Sequence, residues 1–279
     1  MPGTNANFDP TILSGTILRQ LRTNLVTDNM VNRNFEGEIT GPEDTVDILT
    51  LDDLTISDYS PSSGITVETE PTAKKDTLPM THAKYFAFIA DEADNAGAEQ
   101  YAEIFQQEGL QQLLEAAQGF VMEAYNDALS ANQVTFDEAG GDDIENKIAD
   151  AGENLDEQNV PDEGRFITLP PHEVRLIEDK ISDRGTELGD ETVRAGFQGM
   201  FRGLEVYKLP SSQFETTGSS PQYEHAMYGS RIAITYADAV LNVRRQQSER
   251  YRGDQIDGLH VGGKEVVREE ALGDFRIKQ

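Results

Sequence analysis

No cysteine occurs anywhere in the 279-residue chain. That excludes disulfides, thiolate metal sites and a cysteine nucleophile. Long hydrophobic runs are missing too: nothing approaches the ~18 consecutive apolar residues that a membrane-spanning helix needs. Met1 to Gln20 lacks the basic stretch followed by an apolar core that marks a secretory signal, so an intracellular origin is expected. Positive charge is the third scarcity: 23 Lys and Arg stand against 51 Asp and Glu, a formal net charge of −28. A surface that negative repels nucleic acid, whose recognition depends on Lys and Arg meeting phosphates. It also opposes self-association, a penalty that fades in molar salt, where the Debye length falls to about 3 Å. The composition therefore predicts a high-salt source, such as a halophilic archaeon or its virus.

What is present suffices for one large domain or two small ones, and the 37% apolar fraction lies above the disordered range. Met1 to about Val31 reads as an extended arm with a short helical piece at Ile12 to Leu25, followed by a short strand at Val31 to Ile39. Asp44 to Lys84 reads as an extended hairpin, with strand-like runs at Thr45 to Leu51 and Ile65 to Thr69 and turn chemistry at Ser57 to Gly64 and Glu70 to Asp76. Its alternation is too sparse to bury a face of its own, so it is expected to find its partner surface on another copy. Lys84 to Ile89 is a strand.

A long helix is predicted from about Ala96 to Ala131, its stripe carried by Ala102, Phe105, Gly109, Leu113, Ala117, Phe120, Ala124 and Ala128 and widened by Leu110, Leu114, Val121 and Tyr125; unbroken, it would span about 50 Å. A second helix, about Asp142 to Glu157, places Ile144, Ile148, Ala151 and Leu155 on one face, with Asp142 or Asp143 as N-cap. Arg165 to Leu169 is a short buried strand, and Pro170-Pro171 opens a third helix through about Ser182. Gly185 to Gly203 is punctuated by glycine, and Leu204 to Leu209 is a strand. Pro210 to Pro221 is a polar loop, Arg231 to Tyr236 a strand, and Gly258 to Val267 a turn and strand before a polar tail. There is no internal repeat, and the mixture of element types predicts an α+β fold.

Chemistry is sparse. Gly258-Leu-His-Val-Gly262-Gly263-Lys264 matches the start of a phosphate-binding loop, but Glu265 stands where a Ser or Thr would bind magnesium, so a glycine turn between strands is the better account. His172-Glu173 begins a zinc-binding helix motif whose second histidine is replaced by Leu176. The four histidines, His82, His172, His225 and His260, are expected on the surface or in loops. Acidic pairs such as Asp52-Asp53, Asp91-Glu92, Asp142-Asp143 and Glu269-Glu270 are expected by chance in so acidic a chain. Asp137 to Glu145 does not fit a calcium loop, and neither Gly218-Ser-Ser220 nor Gly229-Ser230 forms a nucleophile elbow. No catalytic, cofactor or metal residue is assigned. Arg244, Arg245, Arg250 and Arg252 form the one basic concentration; salt bridges between subunits are preferred over contact with nucleic acid or plain exposure.

The order of segments resembles the HK97-like major capsid proteins of tailed double-stranded DNA viruses, in their coat-protein branch. The likeness is carried by Val31 to Ile39, Asp44-Thr-Val-Asp-Ile48, Lys84 to Asp94, Asn159 to Pro171, Gly203 to Pro210 and Gly258 to Val267. It implies an N-terminal arm with first strand (1–43), an extended loop (44–84), a peripheral domain with spine helix (85–136), an axial domain (about 137–257) and a return to the peripheral domain (258–279). Copies would form hexamers and pentamers closing into an icosahedral shell around DNA held without sequence-specific binding, assembled in the host cytoplasm. About thirty residues precede the first strand, so a separate scaffolding protein is expected, beside portal and decoration partners. Lys74, Lys75 and Lys84 lie in or beside the loop without identifiable asparagine and glutamate partners, and cross-linking is not expected. The residues expected to carry assembly are Ile12 to Leu25, the hairpin tip at Tyr59 to Lys75 and the axial loop at Ser211 to Pro221. Two alternatives stand: a cellular protein-storage compartment of the same fold, and an acidic halophilic enzyme.

Overall fold

The structure, a computed structural model, describes residues 29–34, 45–51, 59, 61, 73–91, 98–183, 199–247 and 253–279. In chain order the elements are β1 (Thr45–Leu51), β2 (Ala73–Pro79), β3 (His82–Asp91), α1 (Ala98–Met122), β4 (Gln133–Phe136), α2 (Ile144–Glu157), β5 (Arg165–Leu169), α3 (Pro171–Asp183), β6 (Met200–Phe201), β7 (Leu204–Lys208), β8 (Glu215–Thr217), β9 (Tyr223–Ser230), β10 (Ile234–Gln247), β11 (Gly253–Val266) and β12 (Leu272–Lys278).

They make three sheets. β1 and β2 form an antiparallel ribbon, paired from Thr45↔Pro79 to Leu51↔Ala73. The long strands β10, β11 and β3 form an antiparallel three-stranded sheet with β11 central. The third sheet runs β4-β12-β9-β5-β7-β6. In it β12 covers one edge of β9 along its length, while β5 and β8 share the other edge. A single apolar core joins the two larger sheets: Leu110, Leu114 and Val121 of α1 lie in it with Ile234, Tyr236 and Ile256 on one side and Phe166, Met227 and Phe275 on the other.

Local chemistry explains the best-matched elements. Asp143 caps α2, its carboxylate accepting from the Glu145 amide at 3.0 Å, and the helix buries Ile144, Ile148, Ala151 and Leu155, the predicted face. Lys180 of α3 donates to the other Asp143 oxygen at 2.7 Å, tying the two helices and holding the Asp143 carboxyl below the usual range. Pro171 occupies the first position of α3, where its missing N–H is harmless. All five residues of β5 are buried, and the predicted strand at Thr45 to Leu51 coincides with β1.

Elsewhere the expectations need correction. The long helix stops at Met122 and tightens into a 3-10 turn over Glu123–Asp127, which keeps Ala124 and Tyr125 buried without further α-helix; 25 residues give about 37 Å. Ala73 to Asp76, read as part of a turn, belongs to β2. β10 runs well past Tyr236 because its second half is polar on an exposed hairpin. The polar loop at Pro210 to Pro221 contains a 3-10 turn at Ser211–Gln213 and the strand β8. β4 and β9 were not foreseen, and the polar tail is β12, with Leu272, Asp274, Phe275 and Ile277 buried. The glycine-rich stretch at Gly258 to Lys264 is no turn: it lies inside β11, paired on both sides. The predicted strand at Ile65 to Thr69, the arm helix at Ile12 to Leu25 and most of Gly185 to Gly203 lie outside the described residues.

Candidate functional site

The ribbon and its root are the first candidate. Its strands do bury a small face, against the expectation: Val46, Ile48 and Leu78 pack with Ala237 of β10 and with Val267. Lys75 and Asp47 pair across the ribbon at 2.7 Å, both exposed. Farther out Tyr59 is 69% exposed, and the remainder of the predicted tip lies outside the described residues apart from Pro61 and Ala73 to Lys75.

The root's position is set by the glycines once weighed as a phosphate loop. A Cβ on Gly263 would lie 2.4 Å from the Pro79 carbonyl oxygen and 2.9 Å from the Met80 sulfur, so the corner joining β2 to β3 sits directly on β11. Nearer the start of β11, a Cβ on Gly258 would enter the Phe86 ring at 2.5 Å, and one on Gly109 of α1 would meet the same ring at 2.9 Å. Phe86 thus fills space left by two glycines on different elements, bringing α1 close to the sheet. Lys264 donates to the Phe120 carbonyl at 2.6 Å and lies 4.6 Å from that ring's centre; it fastens the sheet to the end of α1 and does not face a phosphate.

The second candidate is the outer side of β3. Phe86 and Phe88 turn inward to the core, whereas Tyr85 (75% exposed) and Ile89 (41%) point outward. Among the described residues β3 pairs with β11 alone and is the end strand of its sheet. A ten-residue edge strand with apolar groups on its outer face is an open template for another chain.

The polar loop at Pro210 to Pro221 presents Ser211, Ser212 and the exposed turn Gly218 to Pro221. It is anchored from behind: the Tyr125 hydroxyl donates to Glu215 at 2.9 Å, and Thr217 meets His225 Nε2 at 2.6 Å. Of the predicted basic cluster, Arg245 pairs with Asp254 at 2.6 Å inside its own hairpin. Arg244 is exposed, and Arg250 and Arg252 lie outside the described residues.

The histidine expectation fails at three of four positions. His172 is surface-exposed and meets Glu138 at 2.8 Å. His225 is buried, stacked on Tyr125 at 4.3 Å, with Nδ1 3.0 Å from Asp274; the row Asp274–His225–Thr217 locks β12, β9 and β8 together. His82 and His260 are buried at the ribbon root. These residues stand on strands whose partners come from distant sequence, so no local pattern marks them. Among the described residues no group of three or more His, Asp or Glu could hold a metal ion, and no helix is long and apolar enough to cross a membrane.

One buried acid titrates near neutrality. Burial, and then the neighbouring Glu173 carboxylate, push Glu224 up to about 7. Its protonated form is thus favoured by folding, and that stability is full below about pH 4.5 and lost as pH rises toward 7. Glu224→Gln is expected to remove this dependence: in urea titrations its unfolding free energy relative to the parent should rise by roughly 2–3 kcal/mol between pH 4.5 and pH 7.5. A flat difference across that range would show that Glu224 is ionised throughout.

No protein-family model and no characterised protein sequence matches the chain. Solved structures do. One from Mycobacterium phage Che8 superposes with a TM-score of 0.70 at 22% identity, covering 90% of both chains. The mature capsid of bacteriophage PhiM1 gives 0.63 at 14% identity, covering 89% of this chain and 88% of that one. A virus-like particle from Pyrococcus furiosus gives 0.57 at 12% identity, covering 95% and 98%. The chain therefore has the mixed α+β fold of phage capsid proteins, the fold class implied by the sequence resemblance.

Proposed function

We propose that this chain is a major capsid protein of a tailed double-stranded DNA virus. Its copies assemble as hexamers and pentamers into a closed icosahedral shell around packaged DNA, within the virion and after assembly in the host cytoplasm. The supporting observation is the end-to-end likeness to capsid structures, covering 89% of this chain and 88% of that chain for the mature capsid of bacteriophage PhiM1. Two features agree with it. Among the described residues the ribbon packs on the body through Val46, Ile48 and Leu78 at its root, and β3 is the end strand of its sheet with Tyr85 and Ile89 exposed on its outer face. A second copy laid on that face would cover apolar groups that one molecule leaves wet, and closed symmetry would multiply many modest contacts.

On this reading residues 1–43 are the arm and first strand, 44–84 the extended loop, 85–136 and 258–279 the peripheral domain, and about 137–257 the axial domain. Scaffolding, portal and decoration proteins are separate chains. The net charge of −28 supports assembly in concentrated salt and a halophilic archaeal host; the structural neighbours do not bear on that point, which rests on charge alone.

The test is electron microscopy of purified protein in 3 M and in 0.1 M KCl. Closed particles in high salt that dissociate on dilution are expected. Monomers at every salt concentration would overturn the shell reading, and particles equally stable in dilute buffer would overturn the salt reading alone. A storage compartment of the same fold is the second reading, favoured by the likeness to the virus-like particle from Pyrococcus furiosus. Native particles carrying an enzyme and no DNA would select it.

A further inference from the structure

The corner where ribbon meets body contains two imidazoles that the shell reading does not use. His82 opens β3 immediately after the Pro79–Thr81 corner and is 7% exposed; His260, on the central strand β11, is fully buried. His82 stacks on Phe120 of α1, ring centres 4.6 Å apart and planes at 28°, and meets the edge of His260 at 5.9 Å. Among the described residues His82 Nε2 and both ring nitrogens of His260 are buried without a hydrogen-bond partner. A neutral imidazole tolerates such a setting far better than an imidazolium, which has two N–H groups to satisfy and a charge to solvate.

The surroundings sharpen that preference. The charged groups acting on His82 are His260 and Lys264 of β11 and Lys84 of its own strand, all of one sign. Lys264 is turned toward the α1 end, where Glu123, Asp127 and Glu215 face it. From β10, Asp238 stands 3.5 Å from His260 Nε2, but it is also held by Arg33 of the segment preceding the ribbon. On the ribbon side the nearest strand carries Asp76 on β2, which is buried within its own pair of strands. A proton placed on His82 therefore meets burial first and then positive neighbours.

We propose that His82, stacked on Phe120 and against the edge of His260, is a proton-operated latch: while its ring is neutral it seats the ribbon root on β11, and its protonation unseats the β2–β3 corner while the body of the fold stays intact. The corner is the place where such a change has leverage, because Gly263 gives the Pro79 carbonyl no slack and the strands beyond it are held by a handful of apolar groups. Burial and the positive neighbours lower His82 to about 4. Folding thus favours the neutral ring; the stabilisation is full above about pH 6.5 and declines as pH falls toward 4. The proposal rests on the fold and not on shell formation, and it is tested on dispersed protein.

Hydrogen exchange of the full chain, corrected for intrinsic rates, is compared at pH 7.5, 5.5 and 4.5. Peptides spanning residues 73–86 should lose protection at least about tenfold between pH 7.5 and 4.5, while β9 and β12 keep theirs. His82→Phe retains the stack on Phe120 without a titratable nitrogen and should hold the 73–86 region within about twofold across the range. Protection unchanged in the parent at pH 4.5, or loosening in His82→Phe equal to the parent's, overturns the latch. Should His82→Phe fail to fold, the His82 ring proton resonances in the parent decide: a titration midpoint well below 5 supports the proposal, and one near 6.5 overturns it.

Discussion

Phe275→Ala is expected to lower the unfolding free energy by about 3–5 kcal/mol, a large fraction of the roughly 5–15 kcal/mol that holds a typical protein folded. The side chain is fully buried in β12, and its ring lies 6.5 Å from that of Phe136 on the parallel neighbour β4. On its other side β12 pairs with β9 along seven positions, from Leu272↔Gly229 to Lys278↔Tyr223. Relaxation around the missing ring is hindered nearby: Gly273 is filled by the Tyr228 ring, 2.2 Å from where a Cβ would stand, and the Tyr228 hydroxyl is pinned to the Asn132 carbonyl at 2.9 Å. Collapse into the cavity would have to drag these groups along, so the loss should fall in the upper part of the range. Urea titration checks it; a loss under about 1 kcal/mol would mean that the C-terminal strand is dispensable to the sheet.

That strand also shows where sequence reasoning ran out. Segments whose burial follows a single local period were legible: the α2 face at Ile144, Ile148, Ala151 and Leu155 and its cap at Asp143; β5 was legible from Phe166, Ile167 and Leu169. β9 and β12 broke that rule because their buried positions include Glu224, His225 and Asp274. These polar groups find partners far off in sequence, His225 in Asp274 and Glu224, through one carboxylate oxygen, in Gln279 at 2.7 Å. A local window sees only charge and reads a tail or loop. The end of α1 was missed for the opposite reason: Ala124 and Tyr125 stay buried in a 3-10 turn, so the apolar period continues past the last α-helical residue. For the candidate surfaces, the ribbon's first strand was visible from its residues, while its root contact was not, since Val46, Ile48 and Leu78 find Ala237 across almost the whole chain. The basic cluster was visible in composition, yet the partner of Arg245 lies across a hairpin whose full length the sequence did not disclose.

On the proposed shell function, Gly263→Val should abolish particle formation while leaving most of the fold standing. Any β-carbon at this position falls 2.4 Å from the Pro79 carbonyl oxygen and 3.1 Å from the carbonyl carbon. Backbone cannot rotate away as a flexible side-chain tip can, so the β2–β3 corner itself must lift. The folding cost of such overpacking is about 1–3 kcal/mol, confined to the root because the seven-stranded sheet does not touch it through the same contacts. The assembly cost is larger. The ribbon is a lever anchored at this corner, and a tilt at its root displaces its far end from whatever surface a neighbouring copy offers; a loss of about 1.4 kcal/mol at each contact is a tenfold weakening there, repeated around every closed ring. Gly119→Ala provides the contrast. On α1 the added methyl would find only the Gln213 side-chain oxygen at 3.8 Å, and replacing glycine inside a helix should stabilise by about 0.5–1 kcal/mol. Particle yield by sedimentation in 3 M KCl, read beside urea titration of dispersed subunits, separates the effects. The valine variant should remain folded without forming particles, and the alanine variant should form them normally. Particles from the valine variant at the parent's yield would show that the seat of the ribbon root is irrelevant to assembly.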